Sequence, residues 1–193
     1  MVFNRSEYYI SPEEYLEREK LSEIKHEYID GEVYAMAGAS DTHVTISGNF
    51  YILVHSHLRG NACRVYMADM KVEVEKVNRY FYPDLLVTCD DRDREFEYFK
   101  KYPCLIVEVL SKSTEGYDRG KKFADYRKLD TLQEYVLVSP EEINVECFRR
   151  DEAGNWVLYS YEKDDEVHLT SIDFHCPIKA LYEDVNLPDI RNS

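Results

Sequence analysis

Two carboxylates and a lysine carry the chemistry this sequence could perform. Asp84 follows Pro83 and leads into Leu85-Leu86-Val87. Glu108 lies inside the apolar run Leu105-Ile106-Val107-Glu108-Val109-Leu110, and Lys122 comes fourteen residues later on a stretch with helical spacing. Two acids on neighbouring strands can hold a divalent cation, and a nearby lysine can steady the charge that builds on an attacked phosphate. That is the chemistry of metal-dependent phosphodiester cleavage. Oxygen-only ligands favour Mg2+ or Mn2+ over zinc.

Glu108 is the sharpest anomaly. A carboxylate in the middle of an apolar strand is buried, and a buried charge must be neutralised, paired or metal-bound. A plain ion pair with Lys122 or Arg119 is the alternative to a metal site. Pro83-Asp84 alone could simply end a turn, so Asp84 gains weight through its pairing with Glu108. Phe123, Tyr126 and Leu129 form the core-facing stripe of the helix over 117–129. Lys122 lies at the edge of that stripe and points toward the sheet, whereas Lys121 falls off it and is solvated. Glu27 opens a hairpin strand and could reach the same site or remain on the surface. His43 begins a helix on its apolar face, where a histidine is more often a core residue than a catalytic one. His55 and His57 diverge on a helix and make a poor metal pair. Asp69 is structural or supports the site from behind, and Ser111 and Thr114 read as loop-capping residues.

These residues need a scaffold, and the composition supplies the bounds. The chain has 193 residues, enough for one domain with a real core, and 44% of them are apolar. A single domain over 1–193 is expected, with flexible ends at about 1–7 and 189–193. No apolar run is long enough to span a bilayer, and the first residues lack the regions of a signal peptide, so the expected compartment is the cytoplasm. Cys63, Cys89, Cys104, Cys147 and Cys176 contain no CxxC pair and are read as buried, reduced thiols. The net charge of −14 opposes long-range attraction to nucleic acid. Any such role must rest on a local basic surface or on a bound metal. Residues 112–128 hold six basic side chains against three acidic ones, a modest local excess of +3 that an ordinary mixed-charge helix could also show.

The order of elements is α/β. Ser11-Pro12-Glu13-Glu14 starts a helix running to about Lys25. Asp30-Gly31 turns a hairpin, and Ser40 caps a second helix. Arg64–Met67 and Lys71–Val77 alternate as strands, 78–83 is a turn, and Asp84–Thr88 is a strand. Asp90–Lys101 is a charged surface excursion, and Cys104–Leu110 is a strand covered on both faces. Glu134–Ser139, Ile143–Phe148, Trp156–Tyr161 and Val167–Phe174 are further strands, and Pro177 opens a last helix to about Asp184. A mixed sheet with an antiparallel C-terminal part is expected.

Taken together, this order of residues resembles the Uma2 family of restriction endonucleases, within the PD-(D/E)XK nuclease superfamily. The resemblance rests on Glu27-Tyr28-Ile29-Asp30-Gly31-Glu32, His43, Tyr82-Pro83-Asp84-Leu85-Leu86-Val87, and Leu105–Ser111 with Thr114. It continues through Asp118-Arg119-Gly120-Lys121-Lys122 with Tyr126, and Glu134-Tyr135-Val136-Leu137-Val138. It implies a restriction-endonuclease-like central mixed β-sheet flanked by helices. It also implies metal ligands at Asp84, Glu108 and the backbone carbonyl of Val109. In the superfamily a lysine stands two residues after the acid. Here that position is Leu110, and the family's lysine on the following helix maps to Lys122. The implied activity is a magnesium-dependent endodeoxyribonuclease, with Glu27 able to complete the metal shell and DNA as substrate. A homodimer would suit cutting both strands of a duplex. The rival readings are a non-catalytic binding or regulatory module of the same fold, and a hydrolase for a non-nucleic phosphate ester.

Overall fold

The structure, a computed structural model, describes residues 9–187; the ends expected to be flexible lie outside the described residues. Ser11 caps α1 (Pro12–Glu19), its hydroxyl accepting from the Glu14 amide at 3.2 Å. The Glu14 side chain pairs with Arg18 instead of closing back on the cap. The helix stops at Glu19, short of the expected Lys25, and a turn follows. β1 (His26–Ile29) and β2 (Glu32–Ala35) form the expected hairpin. Asp30 and Gly31 both take positive φ, 46° and 101°, as a tight two-residue turn demands. Ser40 caps α2 (Asp41–His57), accepting from the His43 amide at 3.2 Å.

Next come β3 (Arg64–Met67), β4 (Lys71–Val74) and β5 (Arg79–Phe81). The last replaces the turn expected over 78–83. The strand expected over Lys71–Val77 ends at Val74, and a 3-10 turn at Glu75–Val77 capped by Asn78 at φ 53° carries the reversal, so Arg79 pairs with both β1 and β4. β6 (Leu85–Thr88) precedes a 3-10 turn at Asp91–Glu95 and β7 (Phe99–Lys100). This stretch is more than a surface excursion. Asp93 is buried and accepts from Thr88 Oγ1 and the amides of Lys101 and Tyr102, while the buried Lys100 ammonium donates to the Asp93 carbonyl.

β8 (Leu105–Val109) leads to α3 (Glu115–Tyr117), a π turn at Asp118–Lys122 and α4 (Phe123–Tyr126). β9 (Glu134–Val138), β10 (Asn144–Arg150) and β11 (Trp156–Glu162) follow. The single strand expected over Val167–Phe174 is instead two, β12 (Glu166–Leu169) and β13 (Phe174–Pro177), split by a 3-10 turn at Thr170–Ile172. Asp173, at φ 49°, folds the chain back on itself there. Pro177 closes β13, and only a 3-10 turn at Ile178–Ala180 follows where a longer helix was expected.

Among the described residues the central sheet runs β11-β10-β9-β8-β6-β3, parallel at β8–β9 and antiparallel elsewhere. A second sheet runs β2-β1-β5-β4-β7, and β12 and β13 pair alone. Alternation along β8 divides two cores. Leu105, Val107 and Val109 pack with Ile46, Phe50 and Val54 of α2 and with Val167, Leu169 and Phe174. Ile106 and Leu110 pack on the opposite side with Phe81, Phe123, Tyr126 and Leu129. Both faces of the strand are covered, which is why its sequence reads as one apolar run.

The cysteines need one correction. Cys104, Cys147 and Cys176 are free and buried, but Cys63 and Cys89 are joined in a disulfide. The pairing of Arg64 with Thr88 in the β3–β6 ladder, continued outward by one residue, sets these two opposite each other. Strand register, invisible in the spacing of the cysteines, makes the pair.

Glu134 at the start of β9 is wholly buried. Its carboxylate accepts from Arg149, from the Thr170 amide and hydroxyl, and from the Ser171 amide and hydroxyl, so it ties β10 to the β12–β13 turn. Burial works to raise its pKa, yet the Ser171 and Arg149 contacts hold it below the ordinary value. A depressed carboxylate pKa gives stability present above the unfolded value and lost as pH falls through the folded one. Glu134→Gln should therefore cost about 2–3 kcal/mol at neutral pH by urea unfolding, with the difference from the parent chain shrinking below pH about 4.

Candidate active site

The β6–β8 register builds the site. Leu85 lies opposite Val107 and Leu86 opposite Ile106, so the next step of the ladder sets Asp84 against Glu108. Asp84 stands just before β6, and both of its oxygens are engaged. Oδ1 is 2.7 Å from His43 Nε2, and Oδ2 accepts from the Val109 amide at 2.7 Å. His43 comes from the first turn of α2 and also bonds the backbone of Leu110. The carboxylate is thus fixed in orientation from two elements.

Glu108 projects toward α3 and α4. Its Oε1 is 2.8 Å from Lys122 Nζ and accepts from Tyr126 Oη at 3.2 Å. The ion pair read from sequence as an alternative is therefore formed, and it lies inside a larger cluster. Lys122 Nζ is also 3.1 Å from Glu27 Oε1 and 3.7 Å from Asp118 Oδ1. Glu27 reaches in from β1 and accepts from the Tyr82 amide. The π turn keeps Asp118 and Lys122 together on the inward side, both buried, and such turns are frequent at functional sites. Lys121, the neighbour expected to be solvated, is exposed.

Four carboxylates, Glu27, Asp84, Glu108 and Asp118, face one lysine and one histidine, so acidic groups outnumber basic ones four to two. Burial drives the Glu108 carboxyl well above its ordinary pKa, against the pull of Lys122, and Asp118 and Asp84 add to the rise. Burial likewise raises Asp118, with Lys122 opposing. For Lys122 burial acts downward, but Glu108, Tyr126, Glu27 and Asp118 together raise it. His43 follows the same pattern, its burial outweighed by the hydrogen bond and charge of Asp84.

A surplus of hard oxygen donors, Glu108 and Asp118 buried and Glu27 and Asp84 half-buried, suits a divalent cation of the magnesium type, which needs only one or two carboxylates beside its waters. With the ammonium seated in the middle, no three acid oxygens of the cluster gather within 4.8 Å of one another. The donor set fits in charge and hardness, through one or two carboxylates.

Three partners are not legible in the sequence as contacts, although the family resemblance includes all three residues. Asp118 is i,i+4 from Lys122, a spacing that shares a face, but nothing in the sequence ties it to Glu27 or Glu108. The core stripe accounts for Tyr126 without its hydroxyl contact to Glu108. The partner of His43 comes from a segment 41 residues away. Asp69 pairs with Lys25 at 2.5 Å and is exposed, and it makes no contact with the acid cluster. The basic segment over 112–128 is largely neutralised in place: Lys112 faces Glu141, Arg119 faces Glu115 and Glu146, and Lys128 faces Asp125.

A mixed central sheet, acids on adjacent strand ends and helices on its flanks define a restriction-endonuclease-like α/β protein. A solved structure described as "a putative nuclease belonging to DUF820" from Anabaena variabilis ATCC 29413 shares this fold. Its TM-score is 0.73 at 20% identity, covering 92% of this chain and 99% of that one. The chain belongs to the Uma2 family, described as "Putative restriction endonuclease", whose profile matches residues 12–178. It is 42% identical over 173 residues to "Uncharacterized protein slr1290" of Synechocystis sp., spanning 90% of this chain and 91% of that protein. "Uncharacterized protein sll1609" of the same organism is 33% identical over 147 residues, spanning 75% of this chain and 83% of that protein. Among the described residues no helix is long and apolar enough to cross a membrane.

Proposed function

We propose that this chain is a metal-dependent endonuclease that hydrolyses DNA phosphodiester bonds at the Asp84–Glu108 cluster. The observation that carries the reading is the excess of buried and half-buried carboxyl groups over basic ones around Lys122, a pattern that costs stability unless a cation or protons offset it. Family membership supports nuclease chemistry.

In this reading Asp84 and Glu108, with the Val109 carbonyl and with Glu27 at the edge, would hold Mg2+ or Mn2+. Such an ion supplies Lewis acidity and an activated water when bound. The rest falls to the chain's own side chains. His43 and the Val109 amide hold the Asp84 carboxylate in one orientation, so no rotation is needed when a ligand arrives. Tyr126 does the same for Glu108. Lys122 holds Glu108 and Glu27 close together, and its ammonium would supply a fixed positive charge beside the reacting phosphate.

One observation favours a second reading, a binding module without catalysis. Lys122 already sits on Glu108 and Glu27, and the net charge of −14 works against nucleic acid. A cleavage screen with magnesium and with manganese separates the two. It should use supercoiled plasmid, linear duplex, single-stranded DNA and RNA, with Glu108→Gln in parallel. The variant keeps hydrogen-bonding groups for Lys122 and Tyr126 but loses the charge. Cleavage of a DNA substrate by the parent chain, reduced at least about 100-fold in Glu108→Gln, is the expected result. Equal cleavage by the two proteins would remove the site from consideration, and no cleavage of any substrate would favour the binding module.

A further inference from the structure

The β12–β13 hairpin contributes nothing to the acid cluster, yet it gathers ligand-type side chains of its own. His168 on β12 lies directly opposite His175 on β13. Alternation turns Val167, Leu169, Phe174 and Cys176 into the core and leaves both histidines on the outer face. Their rings stack with centroids 3.9 Å apart. Asp173, in the left-handed conformation at φ 49°, brings its carboxylate back beside them. One ligand atom from each of the three lies within 4.8 Å of the others. We infer that His168, Asp173 and His175 form a second metal site, selective for a borderline divalent ion such as zinc, copper or nickel.

Three features carry the inference. The donors are two imidazoles and one carboxylate, a set that suits zinc, copper and nickel rather than magnesium, and that therefore differs in kind from the oxygen cluster at Asp84. Among the described residues, no side-chain hydrogen bond or ion pair competes for these imidazoles or this carboxylate. The backbone beneath them is fixed. The His168 carbonyl accepts from Arg149 Nη2 at 2.7 Å and from Tyr161 Oη at 3.0 Å, and Glu134 anchors Thr170 and Ser171 in the connecting turn. Held main chain under unoccupied side chains is the condition for a site that needs little ordering. The parallel rings must rotate about their Cβ–Cγ bonds to aim nitrogens at one point about 2 Å from each, and the exposure of His175 and Asp173 leaves room for this. Three ligands would leave a coordination position open to water or to a group from a partner.

The test is zinc binding to the tag-free full chain in buffer containing excess magnesium. Equilibrium dialysis should find one zinc per chain, and zinc should raise the Tm. His168→Ala and His175→Ala should each weaken binding about tenfold or more, while Asp84→Asn should bind as the parent does, which separates this site from the acid cluster. Cobalt in place of zinc should show ligand-field absorption without thiolate charge transfer, excluding capture by a cysteine. His168→Gln and His175→Gln replace the alanine variants should those fail to match the parent's unfolding in zinc-free buffer. Failure of the parent chain to take up zinc at micromolar concentration would overturn the inference, as would wild-type affinity in the His168→Ala/His175→Ala double variant.

Discussion

Asp84→Asn should reduce magnesium-supported DNA cleavage by more than about 1,000-fold while leaving the chain folded. The substitution preserves volume, so the packing of Leu85 and its neighbours is untouched. It removes the charge that would hold the cation, and it breaks the fixed geometry. An amide has one acceptor oxygen, whereas the carboxylate uses two, one toward His43 and one toward the Val109 amide. If the Asn oxygen keeps His43, its NH2 group meets the Val109 N–H, donor against donor; if it keeps the Val109 amide, the NH2 group replaces the oxygen that faced His43 Nε2. The stability cost stays near that of one or two hydrogen bonds, about 1–2 kcal/mol, because the side chain is only partly buried. The measurement pairs plasmid nicking rates with urea unfolding of both proteins. Cleavage within tenfold of the parent by a folded Asp84→Asn chain would falsify the assignment of Asp84 as a metal ligand.

The layout of this site was only partly legible in the sequence. The strand bearing Glu108 could be read because its six-residue apolar run is interrupted by one charge, and such an interruption has few physical explanations. The hairpin at Asp30-Gly31 could be read because the turn's dihedrals restrict its residues. Neither signal reports which strands are neighbours. That Asp84 stands opposite Glu108 follows from the β6–β8 register, and that Cys63 meets Cys89 follows from the β3–β6 register. Register depends on the whole sheet, so the spacing of the cysteines shows only separate thiols. Glu134 has the pattern of an ordinary strand residue, since its partners Arg149, Thr170 and Ser171 come from segments brought together only by folding. Asp118 shares a face with Lys122 at i,i+4, but only folding brings that face against Glu27 and Glu108. Lys122 could still be placed on the inward edge, since Phe123, Tyr126 and Leu129 after it mark the buried side.

Lys122→Met should be the most destabilising single change in the acid cluster. The methionine fits the volume, but its loss of charge leaves Glu108, Glu27 and Asp118 without the ammonium that lies 2.8, 3.1 and 3.7 Å from them. Removing one partner of a buried pair costs about 3–5 kcal/mol, because the other charge stays behind uncompensated. The pH dependence has a definite sign. Burial already raises Glu108 and Asp118, and Lys122 opposes that rise in both. Without it their folded pKa values climb further above the unfolded ones, so the folded variant binds more protons at neutral pH. Its stability must then fall as pH rises through the folded values and recover as pH drops toward about 4.5. Urea unfolding at pH 5 and pH 8 should show a deficit against the parent that is small at the lower pH and largest at the higher. Divalent ions give the second readout. With the lysine charge gone, the cluster attracts a cation more strongly, so millimolar magnesium should raise the Tm of Lys122→Met more than that of the parent. No magnesium response in either protein would mean that the cluster takes no cation, and Lys122 would then stand as the centre of a structural ion-pair network alone.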